Sequence, residues 1–325
     1  MITVLSDDDL IRLVPDIGVM RAAVETGLQA QAEGRALAEP TTVFNPVPGR
    51  DDLIAVIKGS LPDAGLALVK TVGGFPGNAD KGLATNPGCL TLIETETGQV
   101  SGLMPAARIT TDRTAMVTAI GALRLARTGA SVLGCIGTRG ISVHAVRYIS
   151  QSLPLSEVRL HGRDPDICAE AAGRLSTELG IAVRPTPDWA TCFDGADILI
   201  DGAALPSDAA LFPAEAIRPG AVMIAFGAYS AFPTDIMDHL DGFFMDRWVD
   251  DGRGALGPQT GAGTVSEDRV DAFIGDVIAG RHPGRGSDTD RLLFVHRGVA
   301  ACDLALAQRY LEAAQTRGLG TQIPF

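Results

Sequence analysis

SVLGCIGTRGISVHAV, residues 131–146, reads as a buried apolar strand, a glycine turn and the opening of a helix. Glycines in such a turn let the backbone approach a pyrophosphate, and the N-terminus of the following helix favours its negative charge. The turn is irregular. A strict G-x-G-x-x-G would need glycine at 139, where Arg139 stands, and the glycines available are Gly134, Gly137 and Gly140. Taken alone it is equally a plain tight turn, so the surrounding pattern has to decide.

That pattern is an alternation of strands and helices. A helix around residues 144–150 leads to EVRLHG (157–162), a helix over 165–179 to IAVRP (181–185), and then ADILIDGA (196–203), AVMIAFGA (221–228) and GFFMDRW (242–248) read as further strands. A helix around 265–278 and a last strand in RLLFVHRG (291–298) complete the series. Continuous apolar strands joined by helices predict an α/β fold with a doubly wound parallel sheet, buried on both faces. In that context the glycine turn reads as a dinucleotide site. At the end of the second strand, where an acid contacts a ribose hydroxyl or a base tolerates a 2′-phosphate, stand Gly162 and Arg163, with Asp164 one step on. This favours NADP over NAD, unless Arg163 is only a solvated loop residue.

Upstream the pattern differs. Ser6 before three aspartates is a helix N-cap, and a second helix over 17–33 stops at Gly34. LIAVI (53–57), LALVK (66–70), CLTLI (89–93) and QVSGLM (99–104) are short apolar runs between Pro, Gly, Asn and Asp, which predicts a mostly antiparallel sheet over 41–105. TTDRTAMVTAIGALRLAR (110–127) is a long helix opening on threonine and aspartate, and ACDLALAQRYLEAAQTRG (301–318) is an amphipathic tail helix that returns to the first lobe. The division is therefore 1–113 with 300–325 as an α+β domain, and 114–299 as the doubly wound domain.

The chain has 325 residues, 46% hydrophobic and 20% charged, with formal net charge −12 and no basic tract, which speaks against nucleic acid. Residues 1–10 have no basic n-region and no run of about 18 apolar residues occurs, so no membrane segment is expected and the protein is placed in the cytoplasm. The five cysteines and five histidines are scattered without metal-ligand spacing. Buried free thiols and no metal are the expectation.

Two cations stand out on apolar ground. Lys70 reads as the end of a strand and Arg113 as a residue near the start of the long helix. Each is equally a structural salt-bridge partner or a contact for an anionic substrate, and an arginine fork at a helix N-terminus suits a carboxylate.

At this point the chain resembles the ornithine cyclodeaminase/μ-crystallin family. The resemblance is carried by VK at 69–70, GLAT at 82–85, ETGQVSGLM, ITTDRTA at 109–115, IGT at 136–138, GA at 227–228 and GVAACDLALA at 298–307. It implies a Rossmann-type dinucleotide domain and a substrate and dimerisation domain built from the N-terminal part and the C-terminal helix, in a homodimer. It implies an enzyme using NAD(P) on a small α-amino or α-imino acid. Lys70, Thr85 and Arg113 match the family's substrate-contacting lysine, threonine and arginine. The cofactor would meet Gly137, Thr138, Arg139, Gly140 and Ile141 at the turn, Gly162 and Arg163 after the second strand, Ala225, Phe226 and Gly227 after the fifth, and Arg113.

Three departures qualify the resemblance. Tyr229 stands where cyclodeaminases carry an aspartate after GA; EPTTVFNP, with Thr42, lacks a further carboxylate-binding arginine; and His296 and Arg297 precede Gly298 where a small residue is usual. Lys70 and Arg113, with Tyr229 and His296 assisting, are thus the expected catalytic residues, and Arg297 a substitute carboxylate ligand or an exposed charge. The function expected is a ketimine reductase or amino-acid dehydrogenase. The alternatives are a deaminating cyclodeaminase with recycled NAD and a non-catalytic NADP-binding protein.

Overall fold

The computed structural model describes residues 1–202, 217–226, 235–249, 252 and 254–324. Its contacts divide the chain into two compact units, Met1–Arg113 with Val299–Phe325, and Thr114–Gly298.

In chain order the first unit begins with β1 (Ile2–Val4), α1 (Asp7–Arg12), α2 (Ile17–Ala32), β2 (Leu37–Phe44), β3 (Leu53–Leu61), β4 (Leu66–Gly74), β5 (Gly88–Glu94) and β6 (Val100–Pro105). Helix α3 (Ala106–Leu125) carries the boundary at residues 113/114. The second unit holds β7 (Val132–Ile136), α4 (Gly140–Ser152), β8 (Glu157–His161), α5 (Pro165–Leu179), β9 (Ala182–Pro185), α6 (Trp189–Phe193), β10 (Ile198–Asp201) and β11 (Val222–Ala225). It continues through β12 (Gly242–Met245), α7 (Gly257–Gly261), β13 (Ala272–Phe273), α8 (Ile274–Ile278) and β14 (Leu292–Val295), and the chain closes in the first unit with α9 (Ala300–Arg317) and β15 (Thr321–Ile323).

In the first unit the described strands form one sheet in the order β15-β1-β6-β5-β4-β3-β2, antiparallel except for the β1–β6 pair. Ser6 caps α1 in a reciprocal box with Asp9, and Asp16 caps α2. Helix α9 lies on α2 at close range, since a Cβ added at Gly27 would meet the backbone N of Cys302 at 2.7 Å. The smallness of Gly27 thus sets where the start of α9 sits.

In the second unit the described strands form an all-parallel sheet in the order β13-β12-β14-β11-β10-β7-β8-β9. The order reverses between β7 and β10, so the crevice for a ligand lies at the carboxyl ends of those two strands. The residues after β7 are the Gly137–Gly140 turn. Strands β10, β11 and β14 are buried throughout, as their unbroken apolar runs require. Gly134 is a packing glycine inside β7: a Cβ there would meet Cys192 O at 2.5 Å and Phe193 Cδ1 at 2.9 Å. Gly134→Ala is expected to cost about 1–3 kcal/mol of stability by overpacking, read as a lower denaturation midpoint; an unchanged midpoint would contradict this contact.

Several local expectations are corrected. The long helix starts at Ala106, directly after Pro105, instead of at Thr110. Asp112 is consequently interior and fully buried, accepting hydrogen bonds from Tyr310 Oη (2.7 Å) and Arg108 Nε (2.5 Å). No single helix spans 265–278; a 3₁₀ turn at Glu267–Arg269 precedes β13 and the short α8. The sheet edge claims that backbone: Asp271 N donates to Phe243 O (2.9 Å), and β13 pairs with β12. Cys89 is exposed, while Cys135, Cys168, Cys192 and Cys302 are buried and free. Among the described residues no helix is long and apolar enough to cross a membrane, and no group of three or more His, Cys, Asp or Glu is placed to hold a metal.

Candidate active site

The first unit gathers its functional side chains at the start of α9. Lys70 lies in the middle of β4, not at its end, because the ladder with β3 continues to Gly74 opposite Leu53. There it stands between Ile57 and Leu90 on an apolar face, with its side chain 2% exposed. Arg113 is well inside α3, not at its N-terminus, so the helix dipole offers it no special carboxylate site; the correction follows from the early start at Ala106. What joins the two is Asp303 in the first turn of α9, itself 2% exposed at the side chain. Lys70 Nζ lies 2.8 Å from Asp303 Oδ2, and Arg113 Nε donates to Asp303 Oδ1 at 2.9 Å. Thr110 Oγ1 is 3.4 Å from Lys70 Nζ.

The charges of this cluster are strongly coupled. Burial pushes the Lys70 ammonium below the ordinary lysine range, Asp303 pulls it back up, and the Arg113 charge pushes it down again. Burial likewise works to raise the Asp303 carboxyl, but Arg113 and Lys70 outweigh it and hold the group below the usual carboxylate range. Two cations thus face the carboxylate of Asp303 in a buried place, an arrangement able to receive an anionic group such as a carboxylate.

Asp303 was not singled out by the sequence reading. The signal was present, as a lone acid in the apolar run VAACDLALA, and a buried acid almost always has a cationic partner. Thr85 is not brought into this cluster: it is exposed, and its hydroxyl meets Asn86 Oδ1 at 3.2 Å.

In the second unit the turn after β7 has the form of an anion cradle. Gly137 has φ +122°, and a Cβ there would meet Ser142 Oγ at 2.2 Å; a Cβ at Gly202, after β10, would meet the same oxygen at 2.3 Å. Only glycine fits both places. Gly140 opens α4 with φ +51°, and Arg139 at the N-cap, with extended backbone, supplies no capping hydrogen bond. The first N–H groups of α4, those of Gly140, Ile141 and Ser142, therefore have no side-chain cap, whereas Asp164 caps α5 and Asp188 caps α6. These features fit a dinucleotide pyrophosphate. Thr138 packs on Gly162 after β8, where an added Cβ would lie 2.6 Å from Thr138 Cγ2, and Arg163 beside it is exposed.

His296, just after β14, is 3% exposed. Its ring lies near those of Phe226 and Phe294, with centroids 5.4 and 5.5 Å away, and its Nε2 is 3.0 Å from Thr118 Oγ1. Thr118 Oγ1 also lies 3.1 Å from Thr114 O, to which it can donate. The backbone N of His296 donates to Ala225 O (3.1 Å), joining the ends of β14 and β11. Arg297 lies beside Gly254, and its backbone N, with that of Gly298, donates to the buried Asp246 at 2.8 and 2.7 Å. Gly227 and Tyr229 lie outside the described residues.

Comparison with known proteins accords with this geometry. The family model described as ornithine cyclodeaminase/mu-crystallin family matches residues 16–317. An alanine dehydrogenase of Archaeoglobus fulgidus is 29% identical over 312 residues, 93% of this chain and 92% of that one. An iminosuccinate reductase of Paracoccus denitrificans is 27% identical over 308 residues, 93% of each chain. In fold, the chain is similar to an archaeal alanine dehydrogenase dimer with bound NAD, at a TM-score of 0.90 and 24% identity over 100% of this chain and 99% of that one. With its family model matched over nearly the whole length, the chain belongs to the ornithine cyclodeaminase/mu-crystallin family.

Proposed function

We propose that the protein is an NAD(P)-dependent oxidoreductase that exchanges hydride with the α-carbon of a small α-imino or α-amino acid. The observation that carries this reading is the buried cluster of Lys70, Arg113 and Asp303, in which two cations meet at one carboxylate. It is supported by relatives named alanine dehydrogenase and iminosuccinate reductase. Arg113 holds the substrate carboxylate. Lys70 gives a proton to the imine nitrogen in reduction and takes it back in oxidation, a role suited by an ammonium held below its usual range. The nicotinamide, when bound, supplies or accepts the hydride. The uncapped start of α4 and the Gly137–Gly202 cradle hold its pyrophosphate, and His296 shapes the crevice at the ends of β11 and β14.

The test is a change in nicotinamide absorbance with pyruvate plus ammonium, and with a cyclic α-imino acid. Ammonia released from ornithine with no net change in the cofactor would instead mark a cyclodeaminase, which Tyr229, standing where those enzymes carry an aspartate, speaks against.

NADP is the preferred cofactor. The carboxylate of Asp164 already accepts from Asp166 N (3.0 Å) and Ile167 N (3.1 Å) as the cap of α5, and is thereby occupied, while Arg163 is exposed at the end of β8. A cleft of about 400 Å³ beside the turn adds Arg139 and Arg174, with Glu170 also in its lining and Arg147 paired to Glu178. Arg163→Ala is expected to raise KM for NADPH by about tenfold, the loss of one charge-assisted hydrogen bond, and to leave KM for NADH nearly unchanged. Equal effects on the two cofactors would remove this preference.

The protein acts as a homodimer. Edge strand β2 is exposed along most of its length, with Leu37 61% and Phe44 47% exposed, and an apolar edge of this kind favours burial against a second copy. Its reaction and its free thiols fit the cytoplasm.

A further inference from the structure

We infer that Asp246 is a positioning residue at the nicotinamide end of the crevice: its carboxylate fixes the course of the chain from His296 to Gly298, and with it the place of the His296 ring. The inference rests on the dinucleotide reading given above.

Asp246 directly follows β12 and is 1% exposed. Its Oδ1 accepts from Arg247 N at 2.9 Å and from Arg297 N at 2.8 Å, and its Oδ2 accepts from Gly298 N at 2.7 Å. Arg247 Nε donates to Gly298 O at 2.7 Å, so the peptide groups before and after the Gly298 Cα are both held. Gly298 has φ +94°, a conformation that suits glycine. On the other side, His296 N donates to Ala225 O at 3.1 Å. The backbone beyond β14 is thus tied to β11 on one flank and, through Asp246 and Arg247, to β12 on the other.

This backbone lies at the end of the sheet that receives the ligand. With the pyrophosphate at the turn after β7 and the adenosine ribose beside the residues after β8, the nicotinamide falls on the opposite side, over β10, β11 and β14. There the His296 ring stands 5.4 Å from that of Phe226, with Nε2 3.0 Å from Thr118 Oγ1. A second carboxylate provides a contrast. Asp197, also 1% exposed, accepts from Ser131 N at 2.8 Å and Val132 N at 3.0 Å, at the amino end of the sheet. Both acids fix backbone, but Asp246 fixes backbone that carries a side chain of the crevice. An amide is a poor substitute at either place, since its NH2 would confront an N–H donor where a carboxylate oxygen accepted one.

The test compares Asp246→Asn, Arg247→Met and Asp197→Asn with the wild type in reduction of the imine from pyruvate and ammonium, at a temperature where circular dichroism shows each variant folded. Asp246→Asn is expected to lower kcat by about 100-fold, the effect of a misplacement near 1 Å at the reacting centre. Cofactor affinity is expected to stay nearly unchanged, because the pyrophosphate cradle at Gly137 and Gly202 is untouched, while the fluorescence of bound NADPH or NADH moves toward that of the free cofactor. Arg247→Met, which leaves the carboxylate in place, is expected to shift both readouts in the same direction by less. Asp197→Asn is expected to lower the denaturation midpoint and leave kcat and the fluorescence at their wild-type values. Wild-type kcat and fluorescence in Asp246→Asn, or equal losses in Asp197→Asn, would reduce Asp246 to a structural residue and overturn the inference.

Calorimetric binding of NADPH and NADH to the wild type separates this inference from the proposed function. If the wild type binds a dinucleotide but reduces no imine, the proposed reaction fails, while the Asp246 inference is still decided by the fluorescence of the bound cofactor in the variants. If the wild type binds neither dinucleotide, the reading of the crevice is wrong and the inference falls with it.

Discussion

Lys70→Met lowers kcat by about 10²- to 10⁴-fold, the share that general acid–base catalysis supplies. Methionine preserves the length and the apolar body of the side chain, so it fits between Ile57 and Leu90 without a cavity and leaves Asp303 paired with Arg113. What disappears is the proton at the substrate nitrogen. The variant also loses one of the two cations beside Asp303, and KM for the imino acid is expected to rise with it. With Lys70 as the proposed donor, the wild-type reductive rate is expected to fall as pH rises through its lowered pKa, because only the protonated amine can donate. In the variant that alkaline limb is absent. The measurement is the pH profile of NAD(P)H oxidation with pyruvate and ammonium, with circular dichroism and cofactor binding as controls. A near-wild-type rate in a folded, cofactor-binding variant would remove Lys70 from the chemistry.

Arg113→Met acts on the other term. Truncating one partner of a buried, hydrogen-bonded charge pair costs about 2–5 kcal/mol, equivalent to about 30- to 5,000-fold in kcat/KM. The loss is expected to fall mainly on KM, because in the proposed reaction Arg113 holds the carboxylate in ground state and transition state alike. Arg113→Lys is not expected to restore it. A lysine at 113 lacks the planar fork that meets Asp303 with Nε and a carboxylate with its other nitrogens. A kcat effect with unchanged KM would show that Arg113 does not bind substrate.

How much of this was legible beforehand depends on the range of the interaction. The parallel sheet of the second unit was legible because its strands are continuous apolar runs and its helices follow at regular spacing. The antiparallel ladder of the first unit was legible from its Gly, Pro and Asn breaks. Residues 265–278 misled because their periodicity is weak and an edge strand claims Ala272 and Phe273. The start of α3 misled because Thr110 to Asp112 have the composition of a cap, yet Ala106–Ile109 extend the helix back to Pro105. The same four residues carry Arg113 away from the helix terminus on which its carboxylate role was first argued.

The sequence by itself determined that a glycine turn follows a buried strand in a doubly wound sheet, and that a lysine and an arginine stand on apolar ground in need of an anion. Those are local facts, fixed by periodicity, by glycine's conformational range and by the cost of burying a charge. Only the tertiary structure decided what meets those cations. Asp303 lies 190 residues beyond Arg113 in the chain and reaches it because α9 returns to pack on α2 and β3. No sequence period records that return: the start of α9 is seated by the small residues Gly27 and Gly59, on elements other than those that carry the three charges.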